Sequence, residues 1–354
     1  MILKLISRSL PLPGTSDPLL RQYTGIQGLD THLASLVTFF APVVDMSSSD
    51  LTLSGGFGLG QFGAGWALLT LESLRAGNRA RIVSYIVIFG LILQNITFAV
   101  TIPIYLLIHL LTSPTASSFP GKFASSVLVV NSTDLKILPF SIILGYIVPS
   151  VLMALPAPSL VSSTVHQQFI ALWQPFPLWT ALIQWTVKAL YSLFVNGNTN
   201  QESSFGASYL SAAKYTYGFV LVFCMITHLA AFAIAVLPPS TFENSTAELI
   251  RLSQSDMFGV YVPKPPVFGL KFPSFAEGVQ NFLVWDLYVG MTAVLLWATL
   301  LYRNATSANA SWLSWPTLGF KILAWTLFSG PMGAATILLW ERDAIVGQKV
   351  KQGI

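Results

Sequence analysis

Long apolar stretches almost free of charge constrain this chain more than any other feature. Ile82 to Leu111 and Tyr215 to Leu237 contain no Asp, Glu, Lys or Arg. About 20 such residues cross the hydrocarbon of a bilayer as an α-helix. Composition agrees, with 53% hydrophobic and only 9% charged residues and a mean hydropathy of +0.66, against about 25% charged residues in soluble domains. The expected fold class is therefore all-α, a polytopic transmembrane helical bundle of about eight spans, with roughly seven to nine compatible with the runs.

Taken in order, a cytosolic N-terminal arm over 1–28 leads into a single transmembrane helical domain over 29–343, with a cytosolic tail at 344–354. The first spans are Leu29 to Val44 and Leu51 to Leu74. Ile82 to Leu111 reads as one tilted or kinked helix with its kink at Pro103. A fourth span, Leu135 to Leu155, ends at Pro156 and Pro158. Trp173 to Trp179 reads as an aromatic entry to a fifth that ends near Phe194. Lys188 in that span is read as snorkelling to the nearer interface rather than pairing with a buried acid. Tyr215 to Leu237 follows, then a long cytosolic loop at 238–280, the span carrying Asp286, and a last span running to Asp343.

Alternating these spans puts Lys4, Arg8, Arg21, Arg75, Arg79, Arg81, Arg251, Lys264, Lys271, Arg342, Lys349 and Lys351 on one side, and Lys122, Lys136, Lys214 and Arg303 on the other. The rich side is expected to be cytosolic, with both termini. The sequons at Asn131, Asn304 and Asn309 fall on the poor side as lumenal acceptors of a glycoprotein in the endoplasmic reticulum membrane, whereas Asn244 does not.

Several function classes are disfavoured. The formal charge of +4 comes from short juxtamembrane groups, so no nucleic-acid partner is expected. A single cysteine, Cys224, excludes an intrachain disulfide, and His32, His109, His166 and His228 form no metal-ligand motif, so no metal and no cofactor are expected. Met1 to Gly14 is broken by Lys4, Arg8 and two prolines, leaving no continuous core for a cleaved signal peptide.

The acids carry the chemistry. A carboxylate inside hydrocarbon costs about 2.5–3.5 kcal/mol on insertion scales and usually faces a partner or a cavity. Asp286 sits one turn inside a span, with Gly290, Ala293 and Trp297 on its face at i+4, i+7 and i+11. Glu72 ends a stripe of Gly58, Gln61, Gly65 and Leu68, and Glu341 ends one of Gly330, Ala334 and Ile337. Asp30 and Asp343 read as ordinary helix-end acids. Glu72 and Glu341 stay open between that reading and function, since Arg75 and Arg342 follow them. Asp286 reads as functional. A carboxyl group in an apolar site can remain protonated near neutral pH and so protonate an epoxide or olefin. The carbocation then needs little water and aromatic faces around it. Trp66, Trp285, Tyr288 and Trp340 lie near the acids, although aromatics also serve as interface anchors.

Four motifs then point further: Tyr23-Thr24-Gly25-Ile26 with Leu29-Asp30, Phe39-Phe40-Ala41-Pro42-Val43-Val44-Asp45, Leu71-Glu72-Ser73-Leu74-Arg75, and Leu339-Trp340-Glu341-Arg342-Asp343. Together they resemble the fungal integral-membrane terpene cyclases of the ascofuranone and macrophorin type, over most of the chain. The resemblance implies cyclisation of a farnesylated aromatic or quinone in meroterpenoid biosynthesis, begun by protonating a terminal epoxide or olefin without metal and without loss of diphosphate. A prenyltransferase and an epoxidase upstream, and membrane lipid around the helices, are the implied partners. The chain accordingly lacks the DDxxD and DxDD runs of other terpene cyclases. Similarity to smaller membrane cyclases, with one catalytic acid on an early and one on a late helix, implies Glu72 and Asp286, with Glu341 in reserve. This chain is longer than the shortest of them. A proton- or cation-coupled transporter of a small hydrophobic metabolite is the rival reading, but no internal repeat supports it. A non-catalytic scaffold would leave Asp286 and the stripes unexplained.

Overall fold

A computed structural model describes residues 11–117, 121–194, 206–267, 269–306 and 314–352. Lys4, Arg8 and the sequon at Asn309 lie outside the described residues. Within them the chain is helical, the sole β pairing being an isolated bridge between Pro11 and Pro18. The helices are α1 (Gln27–Val44), α2 (Ser49–Ser73), α3 (Ile86–Leu93), α4 (Phe98–Thr112), α5 (Gly121–Leu128), α6 (Ser132–Ile142), α7 (Val148–Met153), α8 (Ser163–Trp173), α9 (Phe176–Phe194), α10 (Ala207–Val236), α11 (Ala247–Leu252), α12 (Met257–Tyr261), α13 (Phe275–Ala305) and α14 (Ser314–Gln352). Among the described residues, four stretches are long and apolar enough to cross a membrane: Ser132–Met153, Ser208–Val236, Phe275–Ala305 and Ser314–Gln352. The all-α membrane fold is thus the observed one.

The chain forms two compact units. The first gathers the chain up to Leu59 with Tyr146–Phe176 and Ala230–Asp286. Here α1 packs on α8 through Phe40 and Trp173, whose rings are 5.4 Å apart. Asp30 turns its carboxylate back on the chain entering α1, accepting from the backbone N–H of Tyr23, Thr24 and Gly25 at 2.7–3.1 Å. That is the helix-end role expected of it. The connection after α10 is tied down by Asp50, which accepts from the Asp256 N–H at 3.2 Å.

The second unit comprises Gly60–Gly145, Pro177–Leu229 and the chain from Leu287 onward. Two of its apolar runs fold back on themselves. The stretch read as one kinked span is instead two helices, α3 and α4, broken at Gln94–Thr97, where Thr97 has φ 150°. Pro103 lies inside α4 without ending it. The Tyr105 hydroxyl donates to the Val83 carbonyl at 2.9 Å, and the Arg81 guanidinium to the Thr112 carbonyl at 2.9 Å, so both ends of the run lie together. Polar Gln94 and Asn95 supply the turn, with the Asn95 amide donating to the Leu91 carbonyl at 2.8 Å.

The other fold-back interrupts α14. Gly330 adopts φ 73°, ψ 173°, followed by Pro331. Lys321 and Glu341 form an ion pair at 2.5 Å, although twenty residues of straight helix would part them by about 30 Å. A helix broken in an apolar setting must have its freed backbone groups satisfied. Gln61 does this, its amide nitrogen donating to the Ser329 carbonyl at 3.1 Å and its oxygen accepting from the Met332 N–H at 3.0 Å.

Lys188 is also corrected: its ammonium lies 2.7 Å from Asp134 in the first turn of α6, so it pairs rather than snorkels. A bonded acid within reach offers more than an interface at a distance.

Gly330→Ala puts a Cβ onto the Gln61 amide in a positive-φ conformation. It is expected to cost about 1–3 kcal/mol and lower the melting temperature of the detergent-solubilised protein by several degrees. An unchanged melting curve would show that the turn does not need glycine.

Candidate functional site

The end of α2 carries Glu72 into the second unit's most heavily charged region, where it is fully buried. One carboxylate oxygen accepts from Arg75 Nε at 2.6 Å and from Arg342 Nη2 at 2.9 Å. The Arg75 contact is one helical turn on, while Arg342 arrives from the returning half of α14. Arg75 also donates to both oxygens of Asp343, at 3.1 and 3.2 Å, and to the hydroxyls of Tyr209 and Tyr217 at 2.9 Å each. Those tyrosines in turn donate to Asp343 at 2.8 and 3.2 Å, and Arg342 Nε does so at 3.2 Å. Two carboxylates thus face two guanidinium groups, all within 2% of full burial. Burial alone disfavours charge on Arg75, but Asp343 and Glu72 hold its pKa well above the usual range.

The second Glu72 oxygen accepts from Arg342 Nη1 at 3.4 Å and also meets Thr115 and His109. It accepts from the Thr115 hydroxyl at 2.7 Å and lies 3.3 Å from His109 Nε2. Trp297 has a donor only, so its indole N–H, 3.1 Å from His109 Nδ1, marks that nitrogen as the acceptor. The imidazole is therefore the neutral Nε2–H tautomer. It donates on to Thr115 Oγ1 at 2.9 Å, and Thr115 donates to Glu72. Trp297, His109, Thr115 and Glu72 form one directed chain.

Of the residues singled out in the sequence, Glu72 is central and Trp340 adjoins it, its ring stacked on Tyr217 at 6.3 Å. Glu341 is elsewhere: two residues turn a helix through about 200°, so Asp343 faces the cluster while Glu341 pairs with Lys321, 38% exposed. Trp66 is packed and donates to the Thr180 hydroxyl at 3.1 Å. Asp286 belongs to the first unit and is half-buried on α13. Beside it the Trp285 indole donates to the Lys264 carbonyl at 2.8 Å. Tyr288, in the second unit, is half-buried. In that unit Gly290 leaves room for the Phe98 ring, which any Cβ would strike.

Sequence reading missed Arg75 and Arg342 as a pair bridging Glu72 and Asp343, and with them Tyr209, Tyr217, His109 and Thr115. His109 was the available signal, a lone polar ring in an otherwise apolar run.

A family model described as the CtvD domain matches residues 1–347. Terpene cyclase ascI of Acremonium egyptiacum is 31% identical over 92% of this chain and 80% of its own length. Terpene cyclase ctvD of Aspergillus terreus is 29% identical over 95% of this chain and 89% of its own. Terpene cyclase penA of Penicillium crustosum is 27% identical over 93% and 84%. No solved structure matches the chain.

Removing one member of a buried, paired charge set costs about 3–5 kcal/mol, whereas an exposed pair contributes about 1 kcal/mol or less. Asp343→Ala should therefore strongly destabilise the solubilised protein, and Glu341→Gln should leave its melting temperature within a few degrees. Equal effects in thermal melts would refute the assignment of the cluster as the anchor.

Proposed function

We propose a reaction for this chain, which belongs to the CtvD-domain family and is a terpene cyclase: it cyclises a prenylated aromatic or quinone, with a farnesyl chain, by protonating its terminal epoxide or olefin. The observation that carries this reading is the match to the family over residues 1–347, with relatives named terpene cyclases along nearly the whole length. A prenyltransferase is the class of enzyme that supplies such a substrate, and an epoxidase follows it where the epoxide is used. Membrane lipid holds the apolar prenyl chain at the depth of the helices. Because no diphosphate leaves, the step needs no metal.

The acid we assign is Asp286. Glu72 is already matched by two guanidinium groups at 2.6 and 2.9 Å, which favour its ionised form. An acid catalyst must hold a proton to give. Glu341, bound to Lys321, is likewise a poor donor. Asp286 sits on an apolar helix beside Trp285, whose indole is anchored on Lys264, and close in sequence to Tyr288. In this reading the Asp286 proton passes to the epoxide oxygen or the olefin carbon. The epoxide C–O bond or the π bond breaks as the next double bond attacks. Trp285 and Tyr288 offer ring faces to the moving cation, and loss of a proton from the last carbocation closes the sequence. Glu72 acts at one remove, as the anion that holds Arg75, Arg342 and Thr115 in place.

Microsomes bearing the protein, supplied with farnesylated phenols with and without a terminal epoxide and with EDTA present, should yield a product of unchanged mass. Asp286→Asn should cut that rate by at least about 10²-fold, the lower range for a general acid, without lowering the melting temperature. Glu72→Gln should lose activity only in step with lost stability. A folded Asp286→Asn protein cyclising at the parental rate would remove Asp286 from the acid role.

A further inference from the structure

The two fold-backs change which segments share a side of the membrane. Within the second unit, the Ala76 N–H donates to the Val129 carbonyl at 2.8 Å, and Arg81 reaches Thr112. The Asn304 amide donates to the Ala116 carbonyl at 2.7 Å, and Lys349 to the Ala305 carbonyl at 2.8 Å. The basic turn after α2, the stretch leading to Asn131, the end of α13 and the end of α14 are neighbours. The sequons at Asn131 and Asn304 therefore stand beside Arg79, Arg81 and Lys349. Alternating spans had put them on opposite sides.

Each of α10 and α13, at 1.5 Å per residue, is roughly 45 Å long against a hydrocarbon core of about 30 Å. Both have one end in this neighbourhood, since Tyr209 near the start of α10 bonds Asp343 and Asn304 ends α13. A helix of that length crosses the core once, so the connection joining the two, 237–274, follows one crossing and precedes the next. Its basic residues are Arg251, Lys264 and Lys271. The opposite side gathers Arg79, Arg81, Lys136, Lys214, Arg303 and Lys349 in short turns or within a few residues of helix ends. The span Ser132–Met153 leads away from that side, and from Ala154 to Pro175 there is no Lys or Arg at all. An excess of Lys and Arg in short loops marks the cytosolic face.

We propose that the side bearing Arg79, Asn131, Asn304 and Lys349 is cytosolic, that the 237–274 connection is lumenal, and that Asn244 in that connection is the N-glycosylation acceptor. Asn244-Ser245-Thr246 is a full sequon. Its asparagine is exposed in a turn between α10 and α11. Asn304, by contrast, lies in α13 with its amide nitrogen bonded to Ala116, and Asn131 caps α6 by accepting from the Thr133 N–H at 2.9 Å. The C-terminal end keeps its expected cytosolic side. The long loop exchanges its expected side for the lumen.

The test uses the full chain expressed in yeast microsomes. Glycosidase treatment should raise gel mobility by one glycan, and the shift should vanish in Asn244→Gln but persist in Asn131→Gln and Asn304→Gln. The native Cys224 is fully buried, so single added thiols report cleanly with a membrane-impermeant maleimide. Arg79→Cys should label in intact vesicles, and Asn244→Cys only after permeabilisation. The reverse labelling, or a shift lost with Asn131 or Asn304, overturns the topology. Correct labelling with no glycan at all overturns the acceptor assignment alone.

Discussion

The requirement that buried charge be matched governs the second unit. Glu72, Arg75, Arg342 and Asp343 are all within 2% of full burial, and each by itself would be costly in an apolar interior. Each segment carries one charge of each sign, but the cross pairs Arg75–Asp343 and Arg342–Glu72 form only when the end of α2 and the returning half of α14 meet. Tyr209 and Tyr217 then bring the first turns of α10 to the same point, donating to Asp343 and accepting from Arg75. Apolar packing tolerates small slips of one helix along another. Four interlocked charges do not, because a shift of one turn would leave a guanidinium or carboxylate unpaired.

That meeting depends on the fold-backs. Uninterrupted, the 39 residues of α14 would run about 58 Å and carry Arg342 far from the residues near Ser314. The turn at Gly330 and Pro331 returns the helix, and Gln61, on the same helix as Glu72, closes the broken backbone there. One helix thus supports both the turn and the charges the turn delivers. The α3–α4 fold-back acts similarly, since it brings His109 and Thr115 to the second oxygen of Glu72.

Hydropathy showed the helical membrane fold because it reports an average over many residues, and the small-residue stripe Gly58, Gln61, Gly65 and Leu68 leads to Glu72, which the structure buries fully. It could not show the fold-backs. An apolar run that crosses and one that returns have the same composition, and the turn at Gln94–Thr97 carries neither glycine nor proline. The proposed exchange of sides follows from this, since one uncounted reversal inverts the next loop. Asp343 was passed over for Glu341 because neighbouring acids differ only in rotation, which is fixed by partners up to 270 residues distant. Lys188 was placed at an interface because Asp134 lies 54 residues away.

Glu72 and Asp286 are both acids in apolar helices, and the proposed function gives them different work. A carboxylate saturated by two arginines, a threonine and a histidine has no vacant lone pair aimed outward and no proton to give. This suits a cyclase, because an available anion beside a carbocation would capture it. The directed chain from Trp297 through His109 and Thr115 adds to this by holding the imidazole as the neutral tautomer, so that ring adds no third positive charge to the two guanidinium groups.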